Sequence, residues 1–520
     1  MRGFRAPILA LGLLMSTLQP VFADTLQEQT RLIPQAQDPV IETRNGIQSA
    51  IQHYRAGDLN GAERALRPIM PDLVEVPPRQ RYLAYSLLAI CEQGEGQPQA
   101  AYADMVRAGD EDPSQRTARY WQGVAGLAAL ADHPEAAMDA YTSAIIADPA
   151  HVNDLNSGAM SQIWLEARNR GLPRESFLSA LWQAGYAPSA VGDQLAAQDF
   201  WFDLFQIDAN RGSDDEARQV LDKIDQPWMV IGIRADKRYR QFVKGNPNLD
   251  GATVMVTRYV DTMRKLADAH PREISAVNEL ALALMRTGQL PQALELLDDA
   301  QAKVQAAPAG TPPFDDLKTD LRWTLDIRAR VLAKLGRWDD ALAAQQAARD
   351  EAARDGNGGG DDVSQHINLG DLLYRLQRPR EALAEVDRLD KNGTSPVGDM
   401  EADEVRACAA AQIGDTRLLH ATLAFMRKHG DDAPDALRSA LECANDQTGL
   451  ANMVIRRLTD PNTRNDELVA VQTYLPDPNP SEYDRTMDAR WKAVLARASV
   501  HAAIVRYGDI EHYPVFPDSD

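Results

Sequence analysis

The sequence predicts an all-α protein, an α-solenoid of stacked helix–turn–helix units in two sub-solenoids. Three observations carry that prediction. Of its 520 residues, 44% are apolar and only 6% aromatic; that fills a large core while supplying few of the aromatic residues that strands favour. Alanine-rich segments recur, with starts at 43, 82 and 118 and again at 274, 322 and 363. Turn-forming text sits between the recurrences, as at Pro77-Pro78, Pro308-Ala309-Gly310-Thr311-Pro312-Pro313 and residues 356–362. Loops are expected where units meet and not inside helices.

Residues 1–23 read as an address. Arg2 and Arg5 precede a largely apolar run over 6–18, and Val21 and Ala23 are small residues at −3 and −1 of a cut before Asp24. This is the pattern of a cleaved signal peptide. The mature chain is expected to begin at Asp24, to lose two arginines from a net charge of −21, and to work in the periplasm or outside the cell. The apolar run falls short of the roughly 20 residues that cross a bilayer, and no later run is longer. No stable membrane insertion is therefore expected after cleavage.

The repeat is clearest from Trp121 onward. Ala125, Ala137, Tyr141, Ala144 and Pro149 follow at +4, +16, +20, +23 and +28. This spacing resembles the tetratricopeptide repeat, a 34-residue helical hairpin. With Trp121 as fourth position the unit is 118–151. The same frame fits 43–76 (Ala50, Gly57, Ala62), 82–115 (Ala89, Gly96, Ala101, Ala108), 274–307 (Ala281, Gly288, Ala293, Ala300), 322–355 (Ala329, Gly336, Ala341, Ala348) and 363–396 (Gly370, Ala382). A weaker match, 400–433, has Leu419 where a small residue belongs, and 157–190 and 198–231 read as degenerate hairpins. Small residues let paired helices cross closely. Glycine near position fifteen suits a left-handed turn after the first helix.

The expected organisation is a first solenoid over 24–245, a second over 250–475, and a capping helix with an extended tail over 476–520. Residues 228–233 are read as a buried helix start after Pro227, although their composition also fits a lone strand. The helix expected over 483–507 would cap the stack, which an open solenoid requires, with 510–517 folded back on it. Cys408 and Cys443, one repeat apart, read either as a bridge between neighbouring repeats or as buried small thiols.

Chemistry is hard to find. No zinc-protease, nucleophile-elbow, phosphate-loop or dinucleotide motif is present, and the histidines and cysteines lack metal-ligand spacing. The acidic, glycine-rich stretch 355–362 lacks the alternating carboxylates of a calcium loop. The expectation is a non-enzyme with no cofactor. The acidic charge argues against nucleic acid as a partner.

The resemblance implies where a partner would sit. In that family the second, fifth, ninth, twelfth and thirteenth positions tend to face a groove lined by first helices. Carried onto this chain they nominate Asn278, Arg286, Arg330, Lys334, Tyr374 and Arg375, with Asn368 beside a fifth position. Arginine forks suit carboxylates, so the expected partner is a protein or peptide, acidic in character. The competing reading is that Asp326 and Asp371 neutralise this strip internally. The first solenoid offers Ile51, Tyr54, Arg55, Ile90 and Gln122, a more apolar face. The expected function is a periplasmic adaptor or scaffold. The alternative is a glycan- or peptide-binding receptor in envelope uptake, with Trp164, Trp182, Trp201 and Phe202 as a sugar-stacking platform. A less favoured alternative is an enzyme without a recognisable motif.

Overall fold

The computed structural model describes residues 41–308, 310–354, 360–389 and 394–517. The expected signal peptide and most of the glycine-rich loop lie outside them. Two compact units divide within one helix, between Phe200 and Trp201.

Residues 41–200 form hairpins from α1 (Ile41–Arg55), α2 (Leu59–Leu66), α3 (Pro78–Gly94), α4 (Pro98–Glu111), α5 (Ala118–Leu130), α6 (Pro134–Ala147), α7 (Ser157–Asn169) and α8 (Glu175–Gln183), and end within α9 (Val191–Arg211). The small residues expected at helix crossings (Ala50, Ala62, Ala89, Ala101, Ala108, Ala125, Ala137) are fully buried. A larger side chain there would hold the paired helices apart.

The second unit continues with α10 (Asp214–Leu221), α11 (Pro227–Ala235), α12 (Arg240–Val243), α13 (Ala252–Ala269), α14 (Ile274–Arg286) and α15 (Leu290–Ala306). It runs on through α16 (Leu317–Lys334), α17 (Trp338–Arg354), α18 (Gly360–Arg375), α19 (Pro379–Val386), α20 (Pro396–Ile413) and α21 (Thr416–Lys428). It closes with α22 (Pro434–Cys443), α23 (Gln447–Thr459), α24 (Arg464–Ala470), α25 (Glu482–Leu495) and α26 (Ala498–Tyr507). Proline opens many of these helices, where its missing N–H costs nothing. Residues 228–233 are helical, within α11.

One backbone feature confirms the repeat frame independently of side-chain similarity. Position fifteen has a positive φ in every matched unit: Gly57, Gly96, Gly288, Gly336 and Gly414 at +73° to +77°, with Asp132 at +62° and Gln377 at +59° where glycine is absent. The degenerate units obey it too, through Gly171 and Gly212. A hairpin not singled out in the sequence, α22–α23, turns on Asn445 at +53°. A Cβ at Gly57 or Gly96 would meet nothing, so the glycine answers to the left-handed turn and not to crowding.

Two expectations change. Residues 227–243, assigned to the first solenoid, pack on the end of the second unit. Gly232 lies against Asn465, and a Cβ on Gly508 would strike Leu468 and the Ala235 carbonyl. The Asp509 N–H donates to that carbonyl at 3.0 Å, and Arg234 pairs with Glu511. The division consequently falls near 200 and not near 245–250. The expected capping helix is also two helices, broken at 496–497. It lies across the row of first helices: Tyr483 and Met487 join a core with Leu369, Leu373 and Cys408, and Trp491 and Leu495 join one with Leu437, Leu441 and Val454.

Cys408 and Cys443 are disulfide-bonded and tie α20 to α22. The bridge closes a separation of 35 residues, which the chain-entropy account values at about 4 kcal/mol. Reduction, or the double variant C408S/C443S, should lower the denaturant midpoint of the 201–520 unit. An unchanged midpoint would count against the bridge.

Candidate functional site

Arg286, Lys334 and Arg375 each stand in the last turn of a first helix, α14, α16 and α18. A cation there complements the partial negative charge of the helix C-terminus. All three occupy position thirteen, so the repeat spaces them as a rail along the ends of successive helices. The chain's own C-terminal segment contacts each rung of this rail.

Arg375 makes a two-pronged contact with Asp484, at 3.0 and 3.3 Å, and reaches Asp371 at 3.5 Å. Asp484 also completes the capping box that starts α25: it accepts from the Ser481 N–H at 2.9 Å, and its own N–H donates to Ser481 Oγ at 3.1 Å. Lys334 Nζ lies 3.5 Å from Asp477 and 4.6 Å from the centre of the Phe516 ring. The Lys334 carbonyl accepts from Asn479 Nδ2 at 2.8 Å. Arg286 donates to the Tyr259 hydroxyl at 3.3 Å and lies over Trp228, while its carbonyl accepts from the Phe516 N–H at 2.8 Å.

The remaining predicted residues are held between neighbouring helices. Asn278, buried, donates to the Asp320 carbonyl at 3.3 Å and accepts from Thr324 at 2.8 Å. Asn368 donates to Asp326 at 2.9 Å, and Arg330 pairs with the same carboxylate at 2.9 Å. The buried Tyr374 hydroxyl donates to Asp371 and lies 3.2 Å from Glu404. Its ring packs on Tyr483, whose hydroxyl lies 2.9 Å from Cys443 Sγ. Arg330, Lys334 and Arg375 are thus neutralised within the chain, by Asp326 and Asp371 and also by Asp477 and Asp484, which the repeat frame did not nominate.

A sequence signal for the occupant exists. In residues 475–481 proline alternates with Leu475, Asp477, Asn479 and Ser481. Such a chain is extended and cannot donate a full ladder of hydrogen bonds. Alternate side chains of an extended chain share a face, and Asp477 and Asn479 do meet the same residue, Lys334. Upstream, the Leu475 N–H donates to the Val515 carbonyl at 2.8 Å and the Tyr513 N–H to the Thr473 carbonyl at 2.8 Å, so 473–475 and 511–515 lie side by side.

Burial sets the electrostatics. Burial would raise the Asp484 carboxyl, but Arg375 and the Ser481 cap outweigh it and hold its pKa below the ordinary value. Burial lowers the Lys334 ammonium, with Asp477 pulling the other way. Burial raises Asp371 against the pull of Arg375, and raises Glu404 well above the carboxylate range with Asp371 and Glu401 adding to it.

The other nominated faces are less available. In residues 41–200, Ile51 and Ile90 are buried, Tyr54 and Gln122 are half-buried, and Arg55 is exposed. Most of the proposed sugar platform is core: Trp164 is 2% exposed and packs edge-on against Phe200, Trp201 and Phe202 are buried, and Trp182 is half-buried. Among the described residues no group of three or more His, Cys, Asp or Glu side chains could hold a metal ion, and no helix is long and apolar enough to cross a membrane.

The chain is a TPR-like solenoid. No family model matches it, and no curated protein does. Among solved structures it is similar to a tetratricopeptide repeat protein from Parabacteroides merdae at 13% identity, over 64% of this chain and 99% of that one, with a TM-score of 0.31. It is similar to the apo quorum sensor NprR from B. thuringiensis at 11% identity, over 88% and 99%, with a TM-score of 0.28. It is similar to a Rap protein complexed with Competence and Sporulation Factor at 13% identity, over 83% and 100%, with a TM-score of 0.31. The functional reading rests on the rail and not on likenesses this distant.

Replacing Arg375 with methionine leaves Asp371 and Asp484 without their shared cation, at a cost of about 2–3 kcal/mol, below that of a fully buried pair. Because the Asp484 pKa is depressed in the folded chain, its stabilisation is complete above about pH 4 and is lost as the pH falls through the lower folded value. The stability gap between wild type and R375M should therefore be widest near neutrality and narrow below about pH 4. Denaturant titrations across that range check it, and a gap independent of pH would reject this assignment.

Proposed function

We propose that this protein is a non-catalytic scaffold that binds a protein or peptide along its first-helix rail, and that it works in the periplasm or outside the cell. One observation carries the reading. The rail holds an extended, proline-spaced segment at Lys334 through Asp477 and Asn479 and, one repeat on, the acidic first turn of α25 at Arg375 through Asp484, so it has the chemistry of a peptide-reading surface. The signal-like start of the sequence and the Cys408–Cys443 bridge support an exported setting, since such bridges persist in oxidising compartments. Glycan stacking on the middle aromatics is disfavoured, because Trp164, Trp201 and Phe202 are core and Trp182 alone is half-buried.

A photo-crosslinking residue at the exposed Asn479, in the segment that lies on the rail, and another at the exposed Asp139, on a second helix, test the scaffold reading in the native envelope. A defined protein crosslinked from position 479 and not from 139 is expected. Equal crosslinking from both, or none from 479, rejects the reading. The export reading is checked on the same sample: mature protein should begin at Asp24 in the periplasmic or secreted fraction, and an intact Met1 start would overturn it.

A further inference from the structure

We infer that residues 475–481 are a resident ligand of the rail at Lys334, and that the partner is a protein whose own extended, proline-spaced acidic segment enters by displacing them. This rests on the scaffold reading and deepens it by naming what the rail recognises.

Charge complementarity commits the surface to this occupant. Residues 475–481 carry Asp477 and no basic residue, and Lys334 reads that carboxylate; Arg375 reads the next one, Asp484, in the first turn of α25. The anchors on either side are of unequal strength. Upstream, Val471 and Gln472 are buried; downstream, Val494, Val500, Ile504, Tyr513 and Val515 are fully buried. Between them Thr473, Pro476, Pro478, Asn479 and Glu482 are exposed. The strap at Lys334 is held by one 3.5 Å ion pair and one side-chain hydrogen bond. One long ion pair and one hydrogen bond from an exposed side chain hold less than the fully buried apolar side chains of the downstream flank. The strap can therefore lift from the rail at Lys334 while the flanking elements stay buried.

Tethering sets the threshold. A strap held at both ends competes at an effective concentration in the millimolar range, so an isolated segment of the same sequence should bind weakly. A binding-competent state populated at the level of one part in ten to a hundred weakens apparent affinity by that factor. Loosening the strap should restore it.

The probe is a fluorescent synthetic peptide of residues 475–484, titrated by anisotropy into the full mature chain and into D477A/N479A. The variant should bind about 10- to 100-fold more tightly, and a peptide with all three carboxylates replaced by amides should lose at least about 10-fold. In wild type, saturating peptide should raise hydrogen exchange of the Asp477, Asn479 and Ser481 amides without raising that of 494–515. This readout stands even if the variant fails to fold. Equal affinity for both chains, equal binding of the amide peptide, no binding to either chain, or binding that leaves exchange of the Asp477, Asn479 and Ser481 amides unchanged would each overturn the proposal. So would dimerisation of D477A/N479A, which would make a second copy the occupant. A protein crosslinked from position 479 alongside a failed titration would retain the scaffold and retire the strap; a successful titration with no crosslinked protein would do the reverse.

Discussion

A row of stacked first helices exposes an apolar face that something must cover, and in residues 201–520 the chain covers it with its own C-terminal segment. Val494, Val500 and Ile504 are fully buried in the core around α22–α24, and Tyr513 and Val515 are fully buried beside 473–475. Their burial outweighs the segment's polar contacts, since each such side chain contributes about 1.5–3 kcal/mol against about 1 kcal/mol for a partly exposed ion pair. The joining of α11 to the end of the chain through Ala235, Gly508 and Leu468 follows from it. Once the tail crosses the helix row it must pass the unit's first elements, and glycine at 508 lets it pass close.

The cations of the rail serve a different purpose from the apolar residues. Position thirteen lies in the last turn of each first helix, where a positive charge is favoured whatever else is near. That such residues are ordinary for the repeat and that they bind carboxylates are therefore compatible statements. The helix terminus selects the cation, and the cation then selects an acidic occupant. Arg375 shows this most fully, because Asp484 satisfies the guanidinium and the N-terminus of α25 with one carboxylate.

The hairpins were legible because their determinants are local. A left-handed residue at position fifteen and an alanine at a crossing act within one repeat, so periodicity exposes them. Asp132 and Gln377 take the left-handed turn without glycine, and those units were still found from their small residues. The occupant of the rail was not legible, because its contacts join residues 145 and 109 apart, and periodicity carries no information at such separations. The alternating prolines marked 475–481 as extended but not where the segment would lie. The unit boundary was misplaced for the same reason: what moves 227–243 into the second unit is its packing on residues more than two hundred positions away.

The nominated residues separate by depth. Asn278, Asp326 and Asn368 lie at or beside fifth positions and are used up in bonds between adjacent helices, which come close enough for side chains to bridge them. These bonds are buried, and an outside ligand would have to break them at the cost of stranded polar groups. The thirteenth positions stand at the ends of the first helices, where Lys334, itself largely buried, meets the half-buried Asp477 and the exposed Asn479. On the proposed reading, exchange of one acidic segment for another there replaces like with like, and a partner would act at the helix ends and leave the floor between them intact.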